Sequence, residues 1–136
     1  MPTTSTVEAM AQGLADIVRE VRSRAVDARV ILVDYLTVVT NTTTTGDHWP
    51  LSPEQTASFR AIQDGIVEGY RITADRTEVE VLRASELSLN HGLGSVEPWV
   101  FGFQPTLEAT AWSFHPNEQG MTAVADALVE FLGVES

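Results

Sequence analysis

The 136-residue sequence contains no cysteine and no lysine. Without cysteine there are no disulfides, thiolate nucleophiles, Fe–S clusters or cysteine-based zinc sites, although the redox compartment stays open. Eight arginines face 19 acidic residues, for a net charge of −11. That balance excludes a phosphate-backbone binder, which needs a clustered basic surface to displace counterions, so no nucleic-acid partner is expected. It argues equally against docking on anionic membranes. No apolar run approaches the roughly 18 residues of a membrane span. The first residues, Met-Pro-Thr-Thr-Ser-Thr-Val-Glu, lack a basic stretch leading into an apolar one, so the sequence shows no secretory signal. Internal repeats and charge blocks are also missing. The remaining composition, 43% hydrophobic and 20% charged, is that of one globular domain.

Apolar residues fall at helical spacing in three places. Val7, Met10, Leu14, Ile17, Val18 and Val21 predict an amphipathic helix over Thr6 to Arg24. Phe59, Ile62, Ile66, Val67 and Tyr70 predict a second, started by Ser52-Pro53-Glu54-Gln55 and ending near Asp75. There Ser52 caps, Pro53 suits the first helical position and Gln55 closes a capping box. Met121, Val124, Ala125, Leu128, Phe131 and Leu132 predict a closing helix from Pro116 to about Leu132. Between them, Arg29–Leu36 reads as a buried central strand, and alternating Thr77–Leu82 as a second. Strand, crossover helix and strand together imply a right-handed parallel pair in an α/β layer structure. Two strands alone are marginal in water. Either loop residues supply further strands, or the missing neighbours lie in another piece of polypeptide. Thr40 to Gly46 is a polar loop, and residues 83–115 follow no sustained period, although they hold Trp99, Phe101, Phe103 and Trp112.

The chemistry-bearing stretch is Trp112-Ser113-Phe114-His115-Pro116-Asn117-Glu118-Gln119-Gly120. A histidine on the loop entering a helix is fixed by its backbone while its ring stays accessible, the placement of many general bases. His115, Pro116, Asn117 and Gly120 match the His-Pro-Asn-x-x-Gly block of the SGNH (GDSL-type) hydrolases, which this sequence resembles. Val21 to Tyr35 resembles the helix and strand before the family's later active-site loops. Asn90-His91-Gly92 and Glu97-Pro98-Trp99-Val100 resemble segments of its actinobacterial esterases and lipases. The resemblance covers most of the chain and corresponds to the C-terminal portion of an intact relative.

The resemblance implies a three-layer α/β/α, flavodoxin-like fold with a parallel sheet, here incomplete, and a carboxylic-ester hydrolase with no metal or nucleotide cofactor. His115 would be the general acid/base. Many relatives place an orienting Asp three residues earlier; one subset has Trp there and uses its main-chain carbonyl, which implies that role for Trp112. The family's Gly-Asp-Ser nucleophile block and its oxyanion-hole Gly and Asn have no counterpart in these residues. The chain therefore reads as the histidine-bearing part of a hydrolase acting on a small-molecule or lipid ester. It would pair with an N-terminal half-chain or self-associate through its sheet edge. The alternative is a non-catalytic α/β binding or interaction module derived from that family.

Other residues admit two readings. His91 and His48 could line the cleft, as loops at strand carboxyl ends do, or be solvated. Trp99, Phe101 and Phe103 could line an acyl pocket or cover a core face. Asp34 could be a strand-end carboxylate or a turn residue. Ser95 lacks a nucleophile elbow and reads as a turn serine. His48, His91, His115 and Asp47 have no metal-ligand spacing, so no metal site is expected.

Overall fold

The computed structural model describes residues 2–133. Its elements run α1 (Thr4–Arg24), β1 (Ile31–Val33), α2 (Pro53–Thr77), β2 (Glu80–Leu82), α3 (Ala84–Leu87), a 3₁₀ turn (Thr110–Trp112) and α4 (Glu118–Leu132). The protein is thus mixed α/β. Strands β1 and β2 are parallel, with Ile31 opposite Glu80 and Val33 opposite Leu82. They form the only ladder among the described residues, and the long segment 83–115 adds no strand to it.

Helix boundaries follow local chemistry. The Ser52 hydroxyl accepts from the Gln55 amide at 3.2 Å, and the Gln55 carbonyl oxygen accepts from the Ser52 amide at 2.9 Å, closing the expected capping box. Helix α2 runs two residues past its expected end and takes Thr77 from the predicted strand. It stops at Glu78, which is left-handed (φ 56°) and returns its N–H to Ala74. Helix α4 starts later than Pro116, because Pro116 instead forms an antiparallel bridge with Val100. Asn117 is the N-cap, its side-chain oxygen accepting from Gly120 N at 2.9 Å.

The stripe expected on α1 is displaced. Ala11, Ala15 and Val18 are its buried residues, while Ile17 stays 57% exposed. They meet Gly69, Thr73 and Thr77, the buried residues of α2. Small side chains on both helices allow a close approach, close enough for the Thr73 hydroxyl to reach Ala11 O at 3.2 Å.

The expected strand Arg29–Leu36 contributes only three ladder residues, for a reason that lies outside its own sequence. Beyond Asp34, the main chain is satisfied by side chains. Thr37 N donates to Ser88 Oγ at 2.8 Å. The Gln63 amide of α2 accepts from Val38 N at 2.8 Å and Val39 N at 3.1 Å, and donates to Val39 O at 3.0 Å. Asp34 accepts from the amide and hydroxyl of Ser85, at 2.9 and 2.6 Å, so its carboxylate holds the start of α3 in a turn role.

The main core lies past the strand ends. Leu36, Val38, Val39, Trp49, Ala84, Leu93 and Val100 are buried there, with Phe59, Phe114 and Val124 packed against them. Trp49, 1% exposed, is its largest side chain. The ring stands edge-on to Phe59 and Phe114, both with centroids at 5.0 Å, and its Nε1 donates to Thr56 Oγ1 at 2.7 Å. Both α2 and α4 contact β2.

Candidate functional site

His115 sits where two separated stretches are stitched together. Phe114 N donates to Phe101 O, and Phe101 N donates to His115 O, each at 2.8 Å. Asn117 N donates to Trp99 O at 2.9 Å, and Asn117 Nδ2 to Pro98 O at 2.7 Å. Residues 98–101 thereby hold 114–117 against the mouth of α4. The fit allows no side chain at Gly120, where an added Cβ would lie 2.2 Å from Trp99 O.

The imidazole is exposed and borders a cleft of about 290 Å³. Leu36, Val38, Phe59, Ile62, Ile66 and Phe114 supply its apolar walls. The polar groups there are few. Gln63 is committed to Val38 and Val39, and Ser113 Oγ accepts from Gln104 N at 2.9 Å. The Tyr35 hydroxyl donates to Phe114 O at 3.4 Å, a long contact, and partial burial pushes its phenol above the ordinary value of 10. An aqueous histidine beside an apolar hollow can exchange protons with a group held at the rim. Among the described residues, no three His, Cys, Asp or Glu side chains are grouped to hold a metal ion.

The remaining candidates are placed elsewhere. The Trp112 carbonyl accepts the main-chain N–H of His115 at 3.1 Å, and the His115 ring makes no hydrogen bond among the described residues. The Trp112 indole is 61% exposed and lies 6.3 Å from the Phe101 ring, centroid to centroid. His91 stacks on Trp99, with centroids 3.8 Å apart and planes within 6°. Its Nδ1 is 2.9 Å from Glu97 O, so that nitrogen carries the proton, and Trp99 N donates to His91 O at 2.9 Å. The pair clasps the loop 91–99 shut and does not line the cleft, and neither do Phe101 or Trp112. His48 packs against Gly102, and Ser95 donates to Gly92 O at 2.6 Å in a turn. A larger hollow of about 510 Å³, lined by Arg60, Asn41, Asp64 and Glu68 among others, does not include His115.

Tyr35, Phe59 and Ile62 were not expected at the site. The signal for the last two was present, since positions 59, 62 and 66 share one face of α2, but that face reads simply as core. Ile62 is in fact 47% exposed.

No family model matches the chain, and neither does any curated protein or solved structure. No helix among the described residues is long and apolar enough to cross a membrane.

Proposed function

We propose that this chain is the histidine-bearing portion of a carboxylic-ester hydrolase of the SGNH type, with His115 as general acid/base. The observation that carries the reading is the position of His115: an exposed imidazole on the turn entering α4, bordering an apolar cleft able to receive the hydrophobic part of an ester. In this reading the sheet is part of a three-layer α/β/α arrangement. A serine hydroxyl, supplied by a polypeptide segment outside these 136 residues, attacks the ester carbonyl as His115 takes its proton. The imidazolium then delivers that proton to the departing alcohol. Water, deprotonated by the same ring, releases the acid and restores the serine.

The sheet supports such a segment. Asp34 N donates to Leu82 O at 3.2 Å, so Asp34 faces β2, and strand alternation turns the main-chain groups of Val33 and Tyr35 to the opposite edge. No strand pairs with that edge among the described residues. Apolar hollows flank it, the cleft on the α2 side and a groove of about 350 Å³ on the α4 side, both bordered by Tyr35 and Leu36.

A second reading, a non-catalytic binding module derived from the same family, is favoured by one observation. Among the described residues the Trp112 carbonyl takes the main-chain N–H of His115, and no group hydrogen-bonds its ring to orient it as a base.

The purified chain, with and without an N-terminal half containing a Gly-Asp-Ser block, is to be assayed on a short-chain p-nitrophenyl ester and with a fluorophosphonate probe. The hydrolase reading expects turnover only in the mixture, reduced about 10²–10⁴-fold by His115→Ala. Turnover indifferent to that substitution, or none in a mixture shown to associate, sinks the reading and leaves the binding module.

A further inference from the structure

Two residues other than glycine have positive φ among those described. Glu78, at 56°, closes α2, a place where the left-handed conformation is common. Phe114, at 68°, follows Ser113, the C-cap of the 3₁₀ turn, inside the turn that His115 N closes on Trp112 O at 3.1 Å, and for a bulky side chain that conformation is a true outlier. It persists only where the surroundings over-determine it.

Here they do. The Phe114 N–H is fixed by Phe101 O, its carbonyl accepts from the Tyr35 hydroxyl, and the next carbonyl accepts from Phe101 N. The ring is held edge-on by Trp49 at 5.0 Å, with Phe59 at 6.3 Å. Phe114 and His115 both oppose Phe101, a bulge whose first residue is left-handed, and the pairing runs on through Pro116 to Asn117. The bulge puts the ring of 114 in the aromatic cluster and leaves the ring of 115 at the rim of the cleft.

We infer that Phe114 is a positioning residue for His115: its strained turn, anchored by Trp49, holds the imidazole in one orientation toward the cleft. This rests on the reading of His115 as the base, but its consequence is visible without catalysis. In the folded chain His115 should occupy one side-chain rotamer, seen in three-bond couplings and in a fixed set of proton cross-peaks to the cleft side chains.

Phe114→Gly removes both the anchor and the conformational penalty. Averaging over three staggered wells should cut those cross-peaks to about one third of their intensity. Carbethoxylation of His115 by diethyl pyrocarbonate should accelerate, while His48 and His91, the internal controls, keep their rates. Phe114→Met retains an apolar anchor and should preserve the wild-type pattern.

Rotamer averaging at His115 in the unmodified chain overturns the inference, even if the glycine variant fails to fold. So does a folded Phe114→Gly protein with unchanged His115 cross-peaks and reactivity. A rigid His115 with no ester turnover in the complementation assay would instead retire the hydrolase reading and leave Phe114's role intact.

Discussion

The α1–α2 pair and the stretch from Trp99 to Gly120 are built in opposite ways. The helices are regular and carry their own start and stop signals. They meet closely, with Met10 against Gly69 and the Thr73 hydroxyl on Ala11 O. The second stretch has little regular structure, and main-chain bonds between residues far apart in sequence hold it, from Trp99–Asn117 to Phe101–His115. The candidate base lies in the second. A helix surface offers a side chain a limited choice of directions. A turn pinned at both ends can direct one residue inward and the next outward, as Phe114 and His115 show.

The contrast can be broken most severely at Trp49, which anchors the irregular stretch and barely touches solvent. Trp49→Ala should cost about 3–5 kcal/mol in urea unfolding, by lost burial and a residual cavity.

Two helical glycines sharpen it next. A methyl at Gly120 meets the Trp99 carbonyl, which is fixed main chain, so Gly120→Ala should destabilise by about 1–3 kcal/mol or more. A methyl at Gly69 meets the sulfur of Met10 at 2.9 Å, the far end of a flexible side chain. There the helix-propensity gain of roughly 1 kcal/mol offsets the repacking, and Gly69→Ala should lie near neutral. Equal costs at the two positions would contradict the distinction between an adaptable and a pinned region.

The caps give a smaller version. Ser52→Ala removes a local cap at a typical cost of about 1 kcal/mol. Asn117→Ala removes a cap that also ties α4 to Pro98 O, so it should cost more, about 2 kcal/mol. It alone should loosen protection of the 98–101 amides in hydrogen exchange.

The smallest effect is electrostatic. Arg29 hydrogen-bonds Glu80 at 2.7 Å and holds its carboxyl below the ordinary 4.5, as Arg71 does for Glu68. A carboxyl depressed in the folded state favours folding above its unfolded value, and that advantage fades as pH falls through the folded one. Stability should therefore fall with acidification from about pH 4.5 downward, and Glu80→Gln should flatten the slope of Tm against pH there, leaving values near pH 7 little changed.

Much of this architecture was legible in order and type: three helices, two strands and their parallel pairing follow from periodicity and caps. The misreadings have non-local causes. Strand β1 is short because its partner β2 ends at Leu82, where the chain turns into α3, and beyond it Gln63 and Ser88, distant in sequence, claim the main chain of residues 37–39. Ile17 is exposed because the small residues of α2 draw in Ala11 and Ala15 beside Val18, turning the buried face away from Ile17. At the site, His115 and the Asn117 cap stand out in the sequence. The left-handed Phe114 does not, since no residue type there requests a positive φ. Trp49, three residues past the polar loop Thr40–Gly46, gives no local hint that it is the hub, and the His91–Trp99 clasp depends on a loop closure that spacing does not encode.

Gln63 also sets a boundary. Its amide occupies Val38 N, Val39 N and Val39 O together, so a polypeptide arriving beside β1 finds open main-chain groups around Val33 and Tyr35 and closed ones beyond Leu36. Any added strand is thus limited in length and in register, which also limits edge-to-edge growth along this chain.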